Sequence, residues 1–305
     1  MDSDGRRQTR ITSLPGDERL PRWRHDSISL AFIWNHEGLT DLCLTAITSP
    51  IPECVTSQAR VASYSWSPDG KIIAFDDLKT GSVYLYEVST AAVSLFPFNA
   101  NVKDPVFGVS SDRLYFAAKT GDDFNIWSAK LDGSSPRRLS WLGSDVKPQV
   151  SPRGDRLLYL TDFPGHCEPW LVDVDGKTNQ YLLDRPHIIG YSFPPSPPLA
   201  CGTIPRWSPN GSQTLIISGG SDSAGSLFLV TLDFSVTITP QSGGSEVQPE
   251  RHYLNIFNRV SLEISVLDVQ WSLDGNKVVL VSDDLGSAQI FLLRIGAGTR
   301  VGYGT

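Results

Sequence analysis

In the stretch Tyr64-Ser65-Trp66-Ser67-Pro68-Asp69-Gly70-Lys71-Ile72-Ile73-Ala74-Phe75, an aromatic-ended segment and the apolar run Ile72–Phe75 flank a short polar turn. Pro presets the backbone angle of such a turn, Asp bonds back to the backbone, and Gly takes the position with φ > 0. Two apolar runs around that turn predict a β-hairpin. With Trp66 as the reference slot, equivalent residues are Trp23, Phe107, Val150, Trp207 and Trp271, spaced by 43, 41, 43, 57 and 64 residues.

Two more features recur in the same phase. Nine residues after each slot stands an apolar residue: Phe32, Phe75, Phe116, Tyr159, Ile216 and Leu280. A glycine follows (Gly38, Gly81, Gly121, Gly165, Gly225, Gly286), and then a third apolar run at 41–47, 83–88, 125–131, 170–174, 227–232 and 289–295. Units of about 40 residues with short strands have the size of one four-stranded propeller blade. One blade cannot bury both faces of its sheet, whereas blades packed in series can. The expected fold is all-β: a six-bladed β-propeller of four-stranded antiparallel blades.

Trp-Ser-Pro-Asp-Gly, then Ile-Ala-Phe, then Gly and an aromatic strand resembles the WD40-like Pro-Asp repeat of TolB-like six-bladed β-propellers. Related repeats form the propellers of prolyl-oligopeptidase-type peptidases. The likeness covers nearly the whole chain and implies the fold, while function rests on the site. Copies one, three and four depart from the motif (Trp23-Arg24-His25-Asp26-Ser27, Phe107-Gly108-Val109-Ser110-Ser111, Val150-Ser151-Pro152-Arg153-Gly154) but keep a turn.

Residues 1–9 are polar and read as a flexible N-terminus. Residues 10–14 resemble 137–140, the expected outermost strand before the fourth repeat. By analogy 10–14 should pair with 289–295 and close the ring, removing an open edge. That makes 10–295 one propeller domain, followed by a Gly-rich tail, 296–305. The two long spacings hold insertions at 185–203 and 241–263, with a short helical turn expected at 255–260. Read as blade-to-blade connections, both insertions rise from the face that carries the second-to-third-strand loops. Four of the five histidines fall there, His36, His166, His187 and His252, while His25 falls on the opposite face.

Composition narrows the function. The formal net charge is −7 and no basic stripe exists, which disfavours nucleic-acid binding. No window approaches 18 consecutive apolar residues, so no membrane span is expected. The start is charged and lacks the apolar core of a signal peptide, although exported TolB has one. The chain is therefore expected to be a soluble, cytoplasmic monomer. Cys43, Cys54, Cys167 and Cys201 form no Cys-x-x-Cys pair. Cys43 and Cys54 could lie close, but small buried thiols in a reducing compartment are the favoured reading. Asn210-Gly211-Ser212 matches a glycosylation acceptor and is read as turn chemistry.

The candidate chemistry converges on one loop-covered pocket. His166, His252, Arg251 and Tyr191 are the expected acid–base or polarising groups. Trp34, His36, Glu168, His187, Phe193 and Tyr253 are the expected ligand contacts. An aromatic floor with few polar groups suits a small molecule and equally a protein hot spot. Recurrent Asp76, Asp77, Asp122, Asp123, Asp162, Asp222, Asp283 and Asp284 could hold a hard cation, but such residues more often bond their own loops. No metal or cofactor is expected, and Gly190-Tyr191-Ser192-Phe193-Pro194 lacks the last glycine of a nucleophile elbow. The leading function is a ligand- or partner-binding propeller. The alternative is a stand-alone lyase, isomerase or cyclase of a small organic molecule.

Overall fold

The computed structural model describes residues 10–141, 143–163, 166–177, 179–181, 205–218, 226–233, 255–262, 266–272, 274–282 and 289–294. Every regular element among them is a β-strand, and every sheet is an antiparallel meander. The first sheet holds β1 (Asp17–Trp23), β2 (Ser29–His36), β3 (Leu39–Ala46) and β4 (Ser49–Cys54). The second holds β5 (Tyr64–Trp66), β6 (Ile72–Asp77), β7 (Ser82–Glu87) and β8 (Ala92–Leu95). The third holds β9 (Val102–Phe107), β10 (Arg113–Thr120), β11 (Asp123–Lys130) and β12 (Arg137–Arg138). The fourth holds β13 (Ser144–Val150), β14 (Arg156–Phe163), β15 (His166–Asp173) and β16 (Asn179–Tyr181). The fifth holds β17 (Arg206–Trp207), β18 (Gln213–Ser218), β19 (Ser226–Asp233) and β20 (Asn255–Leu262). The last, with three strands among the described residues, holds β21 (Val266–Trp271), β22 (Lys277–Ser282) and β23 (Gln289–Arg294). No helix among the described residues is long and apolar enough to cross a membrane.

The chain divides into two compact units, Met1–Asp122 with Trp127–Arg137, and Asp123–Ile126 with Arg138–Thr305. In the first unit, Ala31, Ile33, Leu42, Val61, Tyr64, Ile73 and Phe75 form one buried cluster. Val83, Phe96, Val102, Phe107, Leu114 and Phe116 form another. The alternation of the strands supplies both, because inward positions of neighbouring sheets meet. Four of the six apolar residues expected nine positions after the slot, Phe32, Phe75, Phe116 and Tyr159, are buried. The side chains of Ile216 and Leu280 lie outside the described set.

The Ser-Pro-Asp-Gly turn has one recurrent bonding pattern. Ser67 Oγ donates to Asp69 at 2.6 Å and accepts the Ile72 N–H at 2.9 Å. Ser208 does the same with Asn210 and Gln213, and Ser272 with Asp274 and Lys277. Gly70 closes the turn at φ 66°. A Cβ there would also lie 2.2 Å from His25 Nδ1, so both backbone angle and space require glycine.

The slot tryptophans act between sheets. Trp66 Nε1 donates to Arg22 O at 3.3 Å, Trp207 Nε1 to Gln149 O at 3.1 Å, and Trp271 Nε1 to Arg206 O at 3.2 Å. Each acceptor is the residue just before the slot of the preceding repeat. Trp23 is the exception: it is 53% exposed rather than internal, because no sheet precedes the first within its unit.

Three further expectations change. Residues 255–260 belong to strand β20, paired with β19 from Asp233↔Asn255 to Leu227↔Leu262, so no helical turn forms there. Residues 10–14 lie in no strand; Thr12 Oγ1 and Leu14 N instead donate to Glu18, at 2.6 and 3.3 Å. Cys43 and Cys54 are not free thiols. The register sets them opposite each other on β3 and β4, and they form a disulfide with Cα atoms 3.9 Å apart. Cys167 is disulfide-bonded as well, while Cys201 lies outside the described residues. Eliminating the Cys43–Cys54 link with Cys54→Ser should cost about 2–3 kcal/mol, the loop-closure value for a loop this short. The shift in urea midpoint between wild type and variant measures it, and reductant should bring wild type to the variant's value.

Candidate functional site

The β2–β3 hairpin turns through Glu37 (φ 50°) and Gly38 (φ 79°). Two central residues with positive φ make the tight turn that matches strand twist. It fixes the register His36↔Leu39 and Trp34↔Asp41. Cross-strand partners share a sheet face, as do residues two apart on a strand. Trp34, His36 and Asp41 therefore gather on one face beside the turn.

The side chains meet there. The indole and imidazole rings stack with centroids 3.7 Å apart. His36 Nε2 bonds Asp41 Oδ2 at 2.9 Å. The imidazole is 20% exposed and the carboxylate 3%. Asp41 also accepts from Thr56 Oγ1 (2.6 Å), Ala59 N (3.0 Å) and Gln58 N (3.1 Å). Burial pushes the Asp41 carboxyl upward, but bonds from Thr56, Ala59, His36 and Gln58 outweigh it and hold it below its ordinary value. An ionised carboxylate only accepts, so it fixes the His36 proton on Nε2 and leaves Nδ1 of neutral imidazole as an acceptor. Trp34 is anchored in turn, with Nε1 donating to Pro15 O at 2.7 Å. The Pro15 segment runs tight against β2: a Cβ on Gly16 would come 2.3 Å from Asn35 O.

Among the expected site residues, Trp34 and His36 are thus brought together. His166 and Glu168 open β15, opposite Phe163 and Thr161 on β14, at the corresponding end of the fourth sheet. His187, Tyr191, Phe193, Arg251, His252 and Tyr253 lie outside the described residues. The connection carrying His187, Tyr191 and Phe193 joins β16 to β17, a sheet-to-sheet link as expected. The connection carrying Arg251, His252 and Tyr253 joins β19 to β20. Because Asp233 pairs with Asn255 and Gln213 with Thr231, it leaves the sheet at the end where the β17–β18 turn lies. That is the His25 type of end, not the His36 type.

Sequence reasoning missed Asp41 and Thr56. A signal existed: Asp41 is a lone acid in the apolar run Leu39-Thr40-Asp41-Leu42-Cys43-Leu44, and a buried carboxylate must find donors. Of the recurrent aspartates, Asp76 and Asp77 bond backbone. Asp76 accepts from Ala62 N, Ser63 N, Ser63 Oγ and Asp104 N within 3.0 Å, and Asp77 accepts from Arg60 N and Lys79 N. Among the described residues no group of three or more His, Cys, Asp or Glu is arranged to hold a metal ion.

An uncharacterised protein of Agrobacterium fabrum is 24% identical over 190 residues, covering 58% of this chain and 61% of its own length. The crystal structure of TolB from Acinetobacter baumannii superposes with TM-score 0.54 at 17% identity, over 88% of this chain and 61% of that one. An oligogalacturonate lyase from Vibrio parahaemolyticus superposes with TM-score 0.62 at 11% identity, over 94% and 80%. The chain thus spans about three fifths of the first two relatives, and structural likeness at these identities speaks for the fold alone. A family model described as TolB beta propeller domain matches residues 1–188, more than half of the chain. With its antiparallel sheets and recurrent slot, the chain belongs to the TolB beta propeller domain family.

Proposed function

We propose that this chain is a binding propeller whose ligand or partner engages the hairpin-loop end of the first blade at Trp34 and His36. The carrying observation is the pinned imidazole: Nε2 is committed to buried Asp41, and the partly exposed ring lies against an indole. An aromatic surface beside one oriented polar group suits a small organic ligand with hydrogen-bonding substituents. In this reading six four-stranded blades make up one domain over 10–295.

A thermal-shift screen of small organic acids, amino acids and sugars against the whole chain tests the reading. For a compound that raises the melting temperature, His36→Gln, which keeps a donor toward Asp41, should weaken affinity at least tenfold, about 1.4 kcal/mol. Trp34→Ala should do the same. Hits that bind both variants as well as wild type would overturn the assignment.

The second reading is a lyase, isomerase or cyclase, favoured by the carboxylate-oriented imidazole, which is the base-and-orienter half of acid–base machinery. Turnover of a bound compound, lost in His36→Gln, distinguishes it from pure binding. The sequence suggested the cytoplasm. The disulfides instead support an oxidising compartment, since cytosolic thiols are kept reduced. We further propose a monomer, which sedimentation equilibrium would check.

A further inference from the structure

The opposite end of the first blade carries a groove of about 340 Å3. Its floor is one side-chain row of the outer strands, Leu44 and Ala46 from β3 and Ser49, Ile51 and Glu53 from β4. Arg24, Trp66 and Val88 form its walls. Arg24 is held in place: its Nε donates to Gly70 O at 2.7 Å, its guanidinium lies 6.0 Å from the Trp66 ring centroid, and Asp26 stands 3.5 Å away. Asp26 is itself engaged by the Ile28 and Ser29 N–H groups. Glu53 is exposed and makes no ion pair among the described residues. Between these opposite charges Ile51 is 72% exposed, with Ile28 and Ile47 at 44% and 41% nearby, their backbones joined by the bond from Ile47 N to Ile28 O.

The register gives the scale. Arg24 N bonds Ser29 O, Ser29 pairs with Ala46, and Ala46 with Ser49, while Glu53 pairs with Leu44. Three strand spacings separate the Arg24 side from β4, about 14 Å. A single amino acid is too short to bridge that distance, whereas an extended peptide of about four residues spans it at about 3.4 Å each. Pro50 and Pro52 remove two N–H groups from β4, which blunts the edge against strand addition. Contact would therefore be through side chains on the sheet face.

We propose that this groove binds a short extended peptide segment bearing an acidic group at Arg24, an apolar side chain over Leu44, Ile51 and Val88, and a basic group at Glu53. The site is independent of the Trp34 end and of its proposed role. The test is fluorescence anisotropy on the full chain at low salt. The probes are labelled, capped tetrapeptides with aspartate at one end, two central leucines and lysine at the other, in both chain directions. A control probe has glutamate in place of lysine. One of the aspartate–lysine probes should bind at least tenfold more tightly than its control. Glu53→Lys should invert that preference, and Ile51→Ser should weaken binding at least fivefold; both positions are exposed, so melting temperature should hold. His36→Gln should leave binding unchanged. Equal binding of probe and control, indifference to Glu53→Lys, or no binding at millimolar peptide would overturn the proposal.

Discussion

Asp41→Ala is expected to destabilise the protein by about 3–5 kcal/mol, the range for breaking a buried charged network by removing one partner. The carboxylate is 3% exposed and answers donors from His36, Thr56, Gln58 and Ala59. Its loss strands two backbone N–H groups and frees the loop after β4 that wraps it. Urea unfolding at pH 7 measures the cost. The same group should give stability a pH dependence of definite sign. Its folded value lies below the ordinary one, so its contribution is fully present above the unfolded carboxylate pKa, about 3.9. It is lost as pH falls through the folded value. Asp41→Asn should remove that slope below about pH 4 while keeping part of the geometry. An unchanged acid-unfolding curve in Asp41→Asn would show that the carboxylate is not held ionised by this network.

Trp66→Ala is expected to cost about 2–3 kcal/mol, somewhat below the range of about 3–5 for fully buried aromatic truncations, because the indole is only partly buried. Two contributions separate cleanly. Trp66 packs against the cluster of the first two sheets, and its Nε1 bonds Arg22 O. Trp66→Phe keeps most of the packing and loses the bond, which should cost about 1 kcal/mol. Trp23→Ala at the exposed copy of the slot should change stability by less than about 0.5 kcal/mol. Denaturant midpoints for the three variants check the ranking. Equal losses from Trp23→Ala and Trp66→Ala would mean that the slot residue is buried in every copy and that the exposure of Trp23 is misread.

The repeat was legible because its chemistry is local. Ser, Asp and Gly of the turn bond within six residues of one another, so the motif carries its own structure. Features that depend on partners far along the chain were hidden. The role of Asp41 needs the 55–59 loop to fold back over it, and the Cys43–Cys54 pairing needs the β3–β4 register. Strand β20 was misread because Ile256, Phe257 and Val260 fit one helical face as well as a strand. The Trp34–His36 pair was half legible: two residues apart before a Glu-Gly turn, they had to share a face, while the carboxylate that orients the imidazole came from the next strand.

The most direct test of the binding role is a crystal structure of the chain with a compound that raises its melting temperature. The compound should lie within about 4 Å of the Trp34 indole, van der Waals contact distance, and donate a hydrogen bond to His36 Nδ1, with Nε2 still bonded to Asp41. A compound bound elsewhere, with the Trp34–His36 stack untouched, would contradict the account.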